Sequence, residues 1–179
     1  MRLVTLIPAV AVLIVSGTGF AQTWIEYVSL ESRVAINFPG EPMVQDVSYT
    51  TVNGASVPAR VFSVESGAGR FVLTAVDFTA SEVEEQQAIE HAAGVLRQKG
   101  ETLLEAAEDL DDGIPGRQLS IAEEDGRRML ASIYMYDRRL YIAEGSGALG
   151  ATLPVQFSQS IVLLDANGNE VNPNPGGNR

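Results

Sequence analysis

The spacing of apolar and polar residues predicts a chain built mainly from short β-strands. Two strands are predicted first, at Trp24–Val28 and Val34–Phe38, with a polar turn at Leu30–Arg33 between them. A polar, β-rich segment follows at residues 43–52, and its composition is typical of an exposed or edge strand. Later strands are predicted at residues 57–64, 70–78, 101–107, 116–122, 127–136 and 140–144. Turn signals such as Asp125-Gly126 separate the strands, so most neighbours are expected to be antiparallel.

Two helices are expected among these strands. The first is predicted to begin near Ser81, because Ser81 and Glu84 have the spacing of a capping box, and to stop at Gly100. Its apolar stripe consists of Ile89, Ala92, Ala93 and Leu96. The second helix is predicted over Thr152–Leu163, after a loop that contains Gly145, Gly147 and Gly150.

Apolar residues on both faces of two strands decide the expected fold class. In Met129–Tyr136 one face carries four apolar residues, and the opposite face carries Leu130, Ser132, Tyr134 and Tyr136. Residues 71–78 are also largely apolar on both faces. Such strands have to be covered on both sides. Because the connections are typical of hairpins, we expect an α+β fold in which helices cover the faces of a mostly antiparallel sheet, an α/β/α sandwich.

The N-terminal segment is typical of a secretory signal. Residues 1–21 contain one basic residue, Arg2, then a long apolar run, and end with Gly19 and Ala21 at the −3 and −1 positions of a cleavage site. Its removal leaves 11 basic against 23 acidic residues, a net charge of −12. So acidic a chain is not expected to bind nucleic acid or an anionic membrane surface through charge. An uncleaved N-terminal anchor is the alternative, because the run approaches the length that spans a bilayer.

The chain contains no cysteine. This excludes disulfides, thiolate metal sites, a thiol nucleophile and a lipid anchor on an N-terminal cysteine. An exported domain without disulfides has to be held by its core alone, which the length of this chain allows. The expected organisation is a signal peptide at residues 1–21, a single globular α+β domain at residues 22–165 and a flexible C-terminal tail at residues 166–179.

The residues that could perform catalysis do not form a convergent set. His91 is the only histidine, and a surface or boundary position on the first helix is expected for it. Catalysis by a Ser-His-Asp triad needs a nucleophile within reach of the histidine, and Gly145-Ser146-Gly147 lacks the spacing of a nucleophile elbow. One histidine and no cysteine also supply too few ligands for an ordinary zinc site.

Two oxygen-rich turns are weak candidates for cation binding. The first has an oxygen-bearing side chain at every second position, as at the start of a calcium loop: Asp165, Asn167 and Asn169. However, the glycine falls at the wrong position of the loop, and no acidic residue occupies the last ligand position. A turn that ends the second helix is expected there instead. The acidic segment Asp109–Gly113 is the other candidate, and a solvated turn is expected there.

Charged neighbours are expected to form solvated faces or local ion pairs. Adjacent residues do not face each other on a helix or a strand, so neither the two side chains of Glu84-Glu85 nor those of Glu123-Glu124 form a facing pair. Arg127-Arg128 and Arg138-Arg139 are the densest basic spots, and the usual rise of a strand places them roughly 33 Å apart, at opposite ends of a hairpin. Arg127 is placed to pair with Glu123 or Glu124 across the Asp125-Gly126 turn.

Four segments resemble bacterial exported proteins with a PsbP/Mog1-like domain. They are Trp24-x-Glu26-Tyr27 with Val34-x-Ile36-x-Phe38-Pro39-Gly40-Glu41-Pro42, the strand at residues 71–78, Gly113-Ile114-Pro115-Gly116-Arg117, and Phe157-x-x-Ser160-Ile161-x-Leu163-Leu164. The similarity spans roughly residues 24–165. This resemblance implies an antiparallel sheet between helices, and a non-catalytic role as an assembly factor or an accessory or binding protein. It supplies no catalytic motif, so no site residue is carried over from it.

The sequence therefore predicts an exported, non-catalytic binding or accessory domain of the cell envelope, periplasmic or secreted. No catalytic, cofactor-binding or metal-binding residue is assigned. The expected partner is an unidentified envelope protein or small ligand, with no nucleic acid and no transmembrane span after removal of the signal. The alternatives are a periplasmic hydrolase whose carboxylates are brought together by the fold, and a purely structural envelope component. A deep pocket that holds two or more carboxylates with shifted pKa values favours the enzyme, and shallow grooves over a filled core favour the binding domain.

Overall fold

A seven-stranded antiparallel sheet forms the centre of the fold in the computed structural model. The structure describes residues 24–67, 69–110, 113–151 and 153–171. The predicted signal peptide at residues 1–21 lies outside the described residues, and so do residues 172–179 of the predicted tail.

The chain forms ten strands and two helices within the described residues. In chain order they are β1 (Ile25–Ser29), β2 (Val34–Phe38), β3 (Met43–Thr50), β4 (Ser56–Ser66), β5 (Gly69–Asp77), α1 (Glu85–Arg97), β6 (Gly100–Leu110), β7 (Ile114–Glu123), β8 (Arg127–Tyr136), β9 (Arg139–Ala148), α2 (Leu153–Ser158) and β10 (Val162–Leu163). The large sheet has the order β3-β4-β5-β9-β8-β7-β6, and a small sheet has the order β1-β2-β10. The predicted hairpins and the edge position of β3 are confirmed. Helix α1 carries the chain from β5 to the far edge, so two β-meanders meet at the β5–β9 pair.

Helix α1 covers one face of the large sheet. Its apolar stripe is buried against β7, β8 and β9, as the 3.6-residue spacing predicted. The same core contains the predicted apolar face of β8, which consists of Met129, Ala131, Ile133 and Met135. On this face the expected helical cover is confirmed.

The opposite face of the large sheet is covered by the small sheet together with the short helix α2, not by a long helix. Phe38 from β2 and Phe71 from β5 are fully buried there, together with Phe157 from the short α2. The expected α/β/α sandwich is therefore only partly correct, because the fold is α+β but dominated by sheets. The reason is that β2 itself provides an apolar face, Val34, Ile36 and Phe38, which covers the sheet as a long helix would.

Helix α1 begins one turn later than predicted. Glu84, not Ser81, is the N-cap, and its carboxylate accepts a hydrogen bond from the Gln87 amide at 2.9 Å. The Ser81 amide donates to Phe78 O at 2.9 Å, and the Ser81 carbonyl accepts from Arg138. These contacts hold residue 81 in a turn, so the capping-box spacing at Ser81 is not used.

The predicted second helix is split into α2 and β10. Helix α2 ends at Ser158, and Val162 and Leu163 pair with Ala35 and Val34 of β2. Ser160 ends the helix because its hydroxyl donates to Phe157 O at 2.9 Å and accepts from the Asn37 amide at 3.0 Å. The packed part of the chain continues beyond residue 165, since Val171 is buried and its amide donates to Leu163 O.

The predicted glycine loop at residues 145–150 is partly wrong, because Gly145 and Gly147 lie within β9. Gly145 has a packing role: a Cβ at this position would lie 2.9 Å from Pro154 Cα, so glycine allows α2 to approach the strand. Only Gly150, with a φ of +84°, lies in the turn before α2.

An ionic cluster ties α1 to the edge of the large sheet. Arg97 of α1 donates to both carboxylate oxygens of Glu105 on β6, at 2.9 and 2.6 Å. Arg117 of β7 also donates to Glu105, at 2.6 Å, and both arginines contact Glu90. The hydrogen bonds from Arg97, and then those from Arg117, outweigh burial and hold the pKa of Glu105 at about 2.

Gly145→Ala is expected to lower the free energy of unfolding by about 1–3 kcal/mol, because the new methyl group overlaps Pro154. Gly94→Ala is the matched control within α1, where the nearest atom to the new methyl is 4.0 Å away. It is expected to raise the free energy of unfolding by about 0.5–1 kcal/mol. Urea denaturation measures both changes, and equal effects at the two positions contradict the close packing of α2 on β9.

Glu105→Gln is expected to lower the free energy of unfolding at pH 7 by about 1 kcal/mol, because two arginines lose their shared carboxylate. The carboxyl has a lower pKa in the folded than in the unfolded chain. Its contribution is therefore present above about pH 4.5 and is lost as the pH falls towards 2. Urea denaturation from pH 7 to pH 3 should show a smaller loss of stability for Glu105→Gln than for the unsubstituted chain. Parallel losses contradict the assigned role of Glu105.

Candidate functional site

A cleft of about 250 Å³ lies where the β1–β2 turn folds over the large sheet. We call it the charged cleft, and its ionic side chains are Glu31, Asp46, Arg60, Asp77 and Arg139. The strand register places these side chains together. Asp46 is opposite Arg60 in the β3–β4 pair, and Asp77 is opposite Arg139 in the β5–β9 pair. Residues directly opposite each other share one face of a sheet, and Glu31 reaches that face from the turn.

Arg60 binds two carboxylates at the outer side of the charged cleft. Its Nε donates to Asp46 Oδ1 at 2.6 Å, and its Nη1 donates to Glu31 Oε2. The hydrogen bond from Arg60 is the main cause that lowers the pKa of Asp46, and the two carboxylates raise the pKa of Arg60. Glu31 belongs to the turn and Arg60 to the large sheet, so this ion pair crosses the mouth of the cleft.

Arg139 forms the inner side of the charged cleft. Its side chain is only 12% exposed, with Nη2 lying 3.8 Å from Asp77 Oδ2 and Nη1 lying 3.8 Å from Asp137 Oδ2. Both distances exceed those of hydrogen bonds. Burial acts to raise the pKa of Asp77, but hydrogen bonds from Thr79 and the charge of Arg139 bring it below its ordinary value. Asp77 is therefore ionised at neutral pH.

Tyr141 attaches the turn to the large sheet beneath the charged cleft. Its buried hydroxyl donates to Ser32 O at 3.0 Å, with Arg33 O at 3.3 Å. Burial raises the pKa of Tyr141. Arg33 also forms an ion pair with Asp137, at the β8–β9 turn. These contacts fix the position of Glu31 and Ser32 above the cleft.

The arrangement suits recognition better than acid–base chemistry. Each of the three cleft carboxylates lies beside an arginine, and the pKa values of Asp46 and Asp77 are lowered. A carboxyl that works as a general acid has a raised pKa. Between the charges, Pro58 and Ala75 contribute an apolar floor. The cleft thus presents fixed charges of both signs around an apolar surface.

His91 lies on the opposite face of the large sheet from the charged cleft. Its Nε2 is 3.0 Å from Thr50 O, and its ring makes an edge contact with Tyr49 at a centroid distance of 6.0 Å. The boundary position predicted for His91 on the first helix is confirmed.

Tyr49 has a hydroxyl that is buried without a hydrogen-bond partner among the described residues, and burial raises its pKa to about 12.

The two predicted oxygen-rich turns have different outcomes in the structure. Asp165 Oδ1 accepts from the amides of Asn167 and Asn169, at 2.8 and 2.9 Å. This turn joins a bridge between Leu164 and Glu170, so it does not end a helix as predicted. Asp109 lies within β6 instead of in a turn, and Asp111 and Asp112 lie outside the described residues. Within the described ranges, no group of three His, Cys, Asp or Glu residues is placed to hold a metal ion.

The predicted basic spots lie at opposite ends of the β8–β9 hairpin, as expected. Arg127 pairs with Asp125 at 2.7 Å and lies 3.9 Å from Glu123, so the predicted pairing across the turn is confirmed in part. The solvated face expected for Glu123 is wrong, because its side chain is 18% exposed and accepts a hydrogen bond from Ser146. The pairing of Arg139 with Asp77 was not predicted from the sequence. Only the register of β5 against β9 shows that these residues are opposite each other.

The fold is similar to that of a solved structure. The solution structure of cyanobacterial PsbP (CyanoP) from Synechocystis sp. PCC 6803 has a TM-score of 0.51 to this chain at 16% sequence identity. The similarity covers 82% of this chain and 95% of that chain. No protein-family model matches the sequence. No curated protein matches it either.

The chain therefore has a PsbP-like fold, which confirms the predicted resemblance at the level of the fold. Neither helix in the described part of the chain has the length and apolar character needed to cross a membrane.

Tyr141→Phe and Tyr49→Phe are expected to have opposite effects at pH 7. Tyr141→Phe should lower the free energy of unfolding by about 1 kcal/mol, because the Ser32 carbonyl loses its buried donor. Tyr49→Phe should raise it by about 1 kcal/mol, because it removes a buried hydroxyl that has no partner among the described residues. Thermal and urea denaturation measure both changes. A destabilised Tyr49→Phe protein contradicts the assignment of an unsatisfied hydroxyl.

Proposed function

We propose that this chain is an exported accessory domain of the cell envelope, which binds an envelope protein or a small ligand in the charged cleft. The signal-like composition of residues 1–21 supports export. The PsbP-like fold agrees with the non-catalytic, accessory role that the sequence resemblance implied. In this proposal the released domain begins at Gln22.

The main support for this proposal is the pairing of opposite charges in the charged cleft. Arg60 contacts Glu31 and Asp46, and Arg139 lies beside Asp77. These pairs place cationic and anionic groups side by side around the cleft. Fixed charges of both signs select a partner with the complementary arrangement, since like charges brought together cost several kcal/mol.

A carboxylate-dependent hydrolase is the second candidate. The fold does bring Glu31, Asp46 and Asp77 into one cleft, as that alternative requires. A hydrolase of this type needs one carboxyl kept protonated near neutral pH. The surroundings act in the opposite direction. The hydrogen bond from Arg60 lowers the pKa of Asp46, and hydrogen bonds from Thr79 together with the charge of Arg139 lower that of Asp77 despite its burial. The geometry therefore supports binding better than hydrolysis.

Arg60→Glu is expected to abolish partner capture by the full chain produced in its own host. The substitution leaves Glu31 and Asp46 without their shared cation and adds a third negative charge at the mouth of the cleft. Arg70→Glu is the matched control, since Arg70 lies outside the cleft in an exposed pair with Glu65. The readout is the amount of co-purified envelope protein or ligand, with thermal denaturation to confirm that each variant folds.

The expected result is reproducible capture by the unsubstituted chain and by Arg70→Glu, but not by a folded Arg60→Glu protein. Equal capture by all three contradicts the role of the charged cleft. Turnover in a hydrolase substrate screen that is lost in Asp46→Asn favours the second candidate instead. Mass spectrometry of the captured chain tests export, because processing should leave Gln22 as the first residue.

A further inference from the structure

Arg128 differs from most basic residues of this chain because it has no acidic partner in the described residues. Ten Lys and Arg side chains are described, and eight of them lie within 4.0 Å of a carboxylate. The two exceptions are Arg128 and Arg138. Arg138 donates to the Ser81 carbonyl and so has a structural role. In a chain of net charge −11, the position of Arg128 away from the described carboxylates calls for another explanation.

A buried serine orients the Arg128 guanidinium. Arg128 Nε donates to Ser120 Oγ at 2.8 Å, and Ser120 is only 1% exposed. The hydroxyl is uncharged, so it directs the guanidinium without neutralising it. Nε–H is one of five N–H donors, and the four on Nη1 and Nη2 form the fork that binds a carboxylate through two parallel hydrogen bonds.

This guanidinium borders a groove of about 340 Å³ between α2 and the large sheet. We call it the α2 groove. Gln118 and Leu130 line it from the sheet, while Pro154, Val155 and Gln159 line it from α2. Among the described residues, Arg128 is the only charged one that lines it. The groove shares no lining residue with the charged cleft.

We propose that the α2 groove binds a small organic monocarboxylate, with the carboxylate on Arg128 and the apolar body against Leu130 and Val155. Charge complementarity supports an anion, because Arg128 is unopposed within an otherwise neutral groove. The apolar lining supports a hydrocarbon body attached to that anion. The volume lies near the lower end of the range for small-molecule sites, which favours a free carboxylate over a folded partner. The proposal is independent of the function assigned to the charged cleft.

The test uses hexanoate as the probe and hexanol as its uncharged counterpart, with the full chain in solution. Amide NMR shifts of Gln118, Leu130 and Gln159 report occupation of the groove. Hexanoate is expected to shift these amides with a dissociation constant on the order of 1 mM. Hexanol is expected to bind at least about tenfold more weakly, because it cannot form the paired hydrogen bonds with Arg128.

Three variants separate the groove from a general effect of charge. Arg128→Gln is expected to weaken hexanoate binding about tenfold or more. Val155→Glu keeps Arg128 and changes a side chain that is 39% exposed, so it should fold, and its carboxylate should occupy Arg128 and exclude hexanoate. Arg138→Gln removes the other arginine that lacks an acidic partner and is expected to leave hexanoate affinity unchanged.

Loss of hexanoate binding in Arg128→Gln and Val155→Glu, with binding retained in Arg138→Gln, supports the proposal. Equal binding of hexanol and hexanoate overturns it, and so does undiminished hexanoate binding by Val155→Glu. Hexanoate-induced shifts confined to residues outside the α2 groove also overturn it. These outcomes are distinct from those for the charged cleft, since none of the variants changes a residue that lines the cleft.

Discussion

The attachment of the small sheet to the large sheet depends on a buried aromatic contact. The ring centroid of Phe157 lies 5.1 Å from that of Phe38 and 5.4 Å from that of Phe71, so one side chain of α2 joins β2 to β5. All three rings are fully buried, and burial of each such side chain contributes about 1.5–3 kcal/mol. Ser160 then directs the chain from α2 into β10, which pairs with β2. The second layer of the fold is therefore held by packing first and by strand pairing second.

Both proposed sites lie at the margins of this second layer. Three strands and a six-residue helix form a narrower layer than the seven-stranded sheet beneath them, so they leave parts of its face uncovered. The charged cleft lies at the side of β3, β4 and β5, under the β1–β2 turn. The α2 groove lies at the side of β7 and β8. The difference in width between the two layers is the common physical origin of both concave surfaces.

Local patterns predicted most of the strands and turns. The predicted Asp125-Gly126 turn lies between β7 and β8, with Gly126 at a φ of +83°. The alternation of side chains between the two faces of β8 predicted a shared face for Met129 and Ile133, and α1 covers that face. The candidate site was not predictable in the same way. Asp77 and Arg139 are separated by 62 positions, and Asp46 and Arg60 are joined only through the β3–β4 register. Residue type alone does not distinguish such pairs from solvated charges.

The sequence by itself determined the antiparallel character of the sheet, the need to cover both of its faces and the absence of cysteine chemistry, because each follows from local spacing or composition. Only the tertiary structure decided what covers the second face. Phe157, Ile161 and Leu164 have helical spacing. The helix nevertheless ends at Ser158, and Val162 and Leu163 pair with β2 as a strand. Likewise, the pairing of Asp77 with Arg139 depends on the strand register, which requires contacts between distant parts of the chain. Local periodicity cannot encode such contacts, because each residue's partner is specified by the packing of the whole sheet.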